Sequence, residues 1–204
     1  MRIYLIRHGE TVSNAARILQ FPDTPLSERG REQARRLGER MREVPLTRIV
    51  TSDYARAHDT AGAVAATTGA PLMVEPLLRE RHLGDHRGTP FSELAVDVFA
   101  PDYHPPNGES WPRFHARVRD AWEAVQRIAE SLDGDFAVVT HALVCASLVS
   151  HCVPVPEPLR PAAIRFGNTA VSHIDGPPWA VSLLDCTAHL EAGQVTYPNH
   201  PPVT

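Results

Sequence analysis

An arginine, a histidine and a glycine, Arg7-His8-Gly9, follow directly on the apolar run Ile3-Tyr4-Leu5-Ile6. A short β-rich run of this kind ends at the carboxyl edge of a buried sheet, where open α/β proteins hold their ligands. The residue types are those of phosphate chemistry. A neutral imidazole nitrogen attacks phosphorus, a guanidinium grips phosphoryl oxygens as a planar charged fork, and glycine permits a tight turn beside the reacting group. Asn14 follows on a short helical segment, with an amide able to bond a phosphate oxygen. Ser52 and Arg56 flank the start of a second helix, whose free amides and dipole favour anions. Glu80 lies just past a third short strand, placed to give a proton to a leaving oxygen. His141 closes the apolar run Phe136 to Thr140, which puts it at the same sheet edge as His8.

The elements that must position these groups alternate. Strand-like segments at Arg2 to Ile6, Arg48 to Thr51, Leu72 to Val74 and Phe136 to Thr140 are separated by stretches of helical periodicity. That order predicts an α/β fold, a three-layer α/β/α sandwich around a largely parallel sheet. Ser27 to Met41 reads as an exposed helix with an Ala34, Leu37, Met41 stripe and supportive Glu32/Arg36 and Arg35/Glu39 spacing. Further helices are expected over Tyr54 to Thr68 and Trp111 to Leu132, the latter capped by Ser110, with Trp122 in its buried stripe. Thr169 to Ile174 and Trp179 to Leu184 read as a closing hairpin, and Gln194 to Thr204 as a loose tail. The 204 residues, 43% of them hydrophobic, fit a single domain spanning residues 1–204.

Composition narrows the chemistry. A net charge of −4 argues against nucleic-acid binding. No apolar stretch reaches the roughly 20 residues of a membrane span, so the reading is a cytoplasmic protein whose partners are small molecules. Cys145, Cys152 and Cys186 are scattered, with no zinc or disulfide spacing. The chain contains no lysine, so all 20 basic residues are arginine. A Walker phosphate loop and a Schiff-base enzyme both need lysine, which removes both classes.

In this order the motifs resemble the histidine phosphatase superfamily, which includes the cofactor-dependent phosphoglycerate mutases and many small phosphatases. The resemblance is carried by Arg7-His8-Gly9-Glu10-Thr11, Asn14, Pro25-Leu26-Ser27 with Gly30 and Gln33-Ala34, Ser52 with Arg56 and Thr60-Ala61, Glu80, Gly108-Glu109-Ser110 and Thr140-His141. It implies a phosphoglycerate mutase-like fold in which His8 accepts the phosphoryl group. Arg7, Arg56 and His141 would bind its oxygens, and Glu80 would protonate the departing alcohol. It also implies no metal and no cofactor, the arginines supplying the positive charge. Asn14, Arg81, Ala142, Phe21 and Ser52 form the expected substrate-binding set, Arg81 favouring a further anionic group on the substrate. A small phosphate ester is the expected partner, and a homodimer is common in the family.

Two departures stand out. Gln20-Phe21-Pro22-Asp23 is one residue shorter than the usual Gly-containing stretch and lacks its glycine, and Ala142 replaces the glycine that usually follows the second histidine. Ala142 is accommodated if it begins a right-handed helix. Glu80-Arg81-His82-Leu83-Gly84 nearly reproduces a mutase motif, but with Leu83 for tyrosine, no lysine and no adjacent arginine pair before Gly108. The reading is therefore a phosphatase, with a mutase as the alternative and a silent phospho-ligand sensor as a third. Retention of both His8 and Glu80 speaks against the sensor. No cysteine has arginine six positions on, and Asp133-Gly134-Asp135 precedes a strand instead of ending one, so cysteine- and aspartate-based phosphatases are set aside. His82, Asp85 and His86 lack a third spaced partner for a metal site.

Overall fold

The structure is a computed structural model that describes residues 1–160 and 164–197. Strands β1 (Arg2–Arg7), β2 (Arg48–Thr51), β3 (Leu72–Val74), β4 (Phe136–Thr140), β5 (Val171–Asp175) and β6 (Ala180–Cys186) form one sheet in the order β3-β2-β4-β1-β5-β6. β3, β2, β4 and β1 run parallel, and β5 and β6 add an antiparallel edge. The helices are α1 (Val12–Ala16), α2 (Glu28–Met41), α3 (Ala55–Thr68), α4 (Trp111–Glu130) and α5 (Ala142–His151).

β1 is apolar at successive positions because helices cover both its faces. Ile3 and Leu5 join Val138 in the core beneath α4 and α5, while Tyr4 and Ile6 join Ile49, Ala137 and Val139 beneath α2 and α3. These alternating faces are the three layers that the alternation of elements predicts. On α2, Ser27 accepts the Gly30 N–H at 3.0 Å as the cap, and Ala34, Leu37 and Met41 are buried. Of the two expected ion pairs Glu32–Arg36 forms, whereas Arg35 turns to Glu32 as well and Glu39 pairs with Arg42. Trp122 is core, edge-on to Trp179.

The first part of the expected loose tail is tied down. The Gln33 amide donates to the Gln194 carbonyl at 2.7 Å, and Thr196 bonds Asn168 through both backbone and side chain. Residues 198–204 lie outside the described part. Among the described residues no helix is long and apolar enough to cross a membrane.

Candidate active site

The parallel register brings the chemistry together. Arg7 sits opposite Thr140 and Thr51 opposite Val139, so His8, His141 and Ser52 leave three neighbouring strands at one edge. The His8 and His141 rings lie 5.2 Å apart between centroids. His8 Nδ1 lies 2.7 Å from the Gly9 carbonyl, an acceptor only, so Nδ1 carries the hydrogen and Nε2 keeps its lone pair. Burial, then the charges of Arg56 and Arg7, hold the His8 pKa well below 6.5, which keeps the ring neutral.

The turn after β1 is fixed by neighbours that the sequence motif contains. Gly9 N–H donates to Thr60 Oγ1 at 3.0 Å, and Glu10 N–H to Gln33 Oε1 at 2.8 Å. A Cβ on Gly30 would meet the Glu10 carbonyl at 1.8 Å, so α2 can approach this turn only with glycine there. Pro25-Leu26-Ser27, Gly30 and Gln33 therefore act by holding the His8 loop, with Ser27 Oγ donating to the Glu10 carboxylate.

Arg7 and Arg56 are each only 2% exposed. Arg7 donates to the Phe166 carbonyl at 2.7 Å and Arg56 to the Phe21 carbonyl at 3.0 Å, yet the Nε of each is buried without a partner. His141 Nδ1 is unpartnered as well. Burial pulls both arginines down to about 10, leaving them charged at neutral pH. Buried donors without acceptors are costly unless an anion arrives to take them. Glu80 lines the same cavity as Arg7, His8, Asn14, Arg56 and Ala142. Its carboxylate accepts from the Arg81 and Leu143 N–H groups at 3.0 and 3.2 Å, but desolvation outweighs these bonds and raises its pKa.

The expected substrate-binding residues divide. Asn14 and Ala142 line the cavity, and Ala142 opens α5 in right-handed helical conformation. Ser52 is fully buried behind His141, 3.0 Å from its Nε2, and so positions that ring. Phe21 contributes its carbonyl to Arg56, while the residue itself is 49% exposed and does not line the cavity. Arg81 forms part of the wall, but its guanidinium is spent on the carbonyls of Glu109, Val98 and Tyr103 and lies 3.9 Å from the Trp111 ring centre. The reading of Arg81 as an anion contact is corrected: it ties the 97–111 segment over the site.

Glu109 does similar work, taking Arg117 in a two-pronged pair and the His82 N–H. His82, Asp85 and His86 bond Gly84, Asn107 and Tyr103, not one another, and no group of three metal-ligating side chains occurs among the described residues.

Sequence reasoning missed three contributors. Asn168 donates to the His8 carbonyl at 2.9 Å, foreshadowed only by a polar Gly167-Asn168-Thr169 before β5. Tyr54 stands edge-on to His141, and Arg87 joins it at the cavity mouth. Neither carries a signal in sequence.

The sequence pattern described as "Histidine phosphatase superfamily (branch 1)" matches residues 3–186. The chain belongs to the histidine phosphatase superfamily. Members of this superfamily are enzymes, and so is this chain. Its relatives include phosphoglycerate mutase-like protein 4 of Arabidopsis thaliana, 33% identical across 93% of this chain and 86% of the relative. A probable phosphoglycerate mutase GpmB of Serratia proteamaculans is 30% identical over 89% of each. Among solved structures, a mycobacterial glucosyl-3-phosphoglycerate phosphatase complexed with VO3 superposes with a TM-score of 0.74 at 27% identity, covering 89% of this chain and 96% of that one. The fold is thus shared by phosphatases and mutase-like proteins.

Proposed function

We propose that the protein is a metal-independent phosphomonoester hydrolase working through a phosphohistidine on a small phosphorylated metabolite. The observation that carries this reading is the meeting of an imidazole with a free Nε2, two buried guanidiniums with unpartnered Nε groups and a carboxyl group of raised pKa. His8 Nε2 attacks phosphorus while the bond to the alcohol oxygen breaks. Arg7, Arg56 and His141 bind the phosphoryl oxygens, and Glu80 gives its proton to the leaving alkoxide. In the second half, the Glu80 carboxylate takes a proton from water, whose oxygen attacks phosphorus and releases His8. Such a reaction depends on positioning and charge stabilisation, which preorganised arginines supply.

The mutase alternative has support from the names of the relatives. Against it stands the composition of the cavity wall. Beyond the two buried arginines and the committed Arg81 it offers one further cation, Arg87, and the apolar Ile18, Leu19, Leu83, Phe91 and Phe99. That suits one half-apolar alcohol better than a second phosphoryl group and a carboxylate together. The deciding experiment measures phosphate release from a phosphomonoester panel alongside isomerisation of 3-phosphoglycerate. Phosphate release without isomerisation is expected; isomerisation outpacing release would reverse the assignment.

A further inference from the structure

We propose that Arg87 reads a second negative charge on the substrate, so that the pocket selects phosphomonoesters whose alcohol half joins an apolar face to a carboxylate. This rests on the hydrolase reading above. Three guanidiniums surround the Tyr54 ring, those of Arg56, Arg79 and Arg87, at 5.1, 5.9 and 5.8 Å from its centre. Their partners differ. Arg79 is paired with the Asp53 carboxylate, and Arg56 donates to the Phe21 carbonyl. Arg87 has no carboxylate within ion-pair distance among the described residues, and its two contacts are to Tyr54 and His82.

The contact to His82 is mismatched. Gly84 N–H donates to His82 Nδ1 at 2.9 Å, which makes Nδ1 the lone-pair nitrogen. In the neutral ring the hydrogen must then sit on Nε2. Burial, reinforced by the nearby charge of Arg87, lowers the His82 pKa and keeps the ring neutral. Arg87 Nη1, which also only donates, lies 3.0 Å from that Nε2. Donor therefore faces donor, and this amino group lacks an acceptor. The other, Nη2, donates to the Tyr54 hydroxyl at 2.8 Å and fixes the side chain at the mouth.

The result is a half-buried cation held in place with an unmet need for an oxygen acceptor, in the same cavity as the phosphate-binding groups. A carboxylate arriving there meets that need and gains a charge-assisted bond. The cavity also presents Ile18, Leu19, Leu83, Phe91 and Phe99, which suit the apolar part of the same alcohol. The anionic contact expected of Arg81 thus passes to a residue six positions later.

The test compares kcat/KM for 4-carboxyphenyl phosphate and phenyl phosphate in wild type and Arg87→Met. The ratio of mutant to wild type corrects for the different reactivities of the two leaving groups. Arg87→Met is expected to lower kcat/KM for the carboxylated ester about tenfold more than for phenyl phosphate. Equal losses on both esters, or none on either, would overturn the proposal. Should Arg87→Met fail to fold by circular dichroism, Arg87→Gln, which keeps donors and removes the charge, is read by the same ratio. If the wild type hydrolyses neither ester, the hydrolase reading falls, and calorimetric Kd values for both esters with each variant decide the role of Arg87 by the same criterion.

Discussion

At the floor of the cavity Arg7 and His8, with His141 buried beside them, are carried on the ends of β1 and β4, whose pairing fixes their spacing. At the mouth Leu83, Arg87, Phe91 and Phe99 are carried on loops that hold one another. The floor derives its precision from the sheet, because backbone hydrogen bonds leave the register no freedom once both faces are buried. The mouth derives its shape from side chains satisfying carbonyls, chiefly Arg81 spanning Glu109, Val98 and Tyr103. Close backbone packing adds to this: a Cβ on Gly84, at φ +56°, would meet the Pro106 carbonyl at 1.8 Å. On the proposed reading, chemistry thus sits on the stiffest part of the molecule and selection on the part most easily altered.

Substitutions at the two ends should separate turnover from substrate choice. The largest effect is expected at His8. His8→Ala should lower phosphate release by at least about 10^4-fold and abolish an acid-labile phosphoenzyme in rapid-quench experiments. A mutant that still turns over near the wild-type rate would place the nucleophile elsewhere. Arg7→Ala and Arg56→Ala remove the buried charges proposed to meet the developing phosphoryl charge, and each should cost about 2.7–4 kcal/mol of barrier, read as kcat/KM. A rise in KM with kcat unchanged would show that these arginines bind only the ground state.

Glu80 is expected to set the pH dependence. His8, with a depressed pKa, stays neutral until the pH drops well below 6.5, as the proposed nucleophile must. In the proposed reaction Glu80, with a raised pKa, can donate its proton only while the pH stays below that value. Activity should therefore persist on the acid side of neutrality and fall as pH rises through the Glu80 pKa. Glu80→Gln should lower kcat roughly 10^2- to 10^4-fold and flatten that alkaline limb, measured with an ester of poor leaving group. An unchanged limb would assign the titration to another residue.

At the mouth the expected effect is smaller and of another kind. Arg81→Met leaves three carbonyls short of a donor, and should cost about 1–3 kcal/mol in chemical denaturation. It should raise KM more than it lowers kcat and open the 97–111 segment to proteases. If kcat instead collapsed as it should for Arg56→Ala, floor and mouth would be one coupled unit.

Much of the floor was legible in the sequence, since each of its groups sits within a residue or two of a strand end or helix start. Gln33, Thr60 and Glu109 appeared within motifs without an evident job. Their work as acceptors for Glu10, Gly9 and Arg117 became visible only in three dimensions. The start of the tail, residues 194–197, was misjudged for a related reason. Polar residues with prolines look unanchored in isolation, yet Gln194 and Thr196 bond Gln33 and Asn168, the latter holding the His8 carbonyl.

The amino-acid sequence by itself determined the alternating layers, because hydrophobic periodicity is a local property of the chain, and its ordered motifs carried the resemblance that named the family and the five side chains proposed for chemistry. Only the tertiary structure decided that Arg81 is consumed by carbonyls while Arg87 stands before a ring nitrogen that cannot accept from it. Whether a guanidinium is satisfied depends on acceptors brought in from distant segments, and one-dimensional order does not record which of them fold back to meet it.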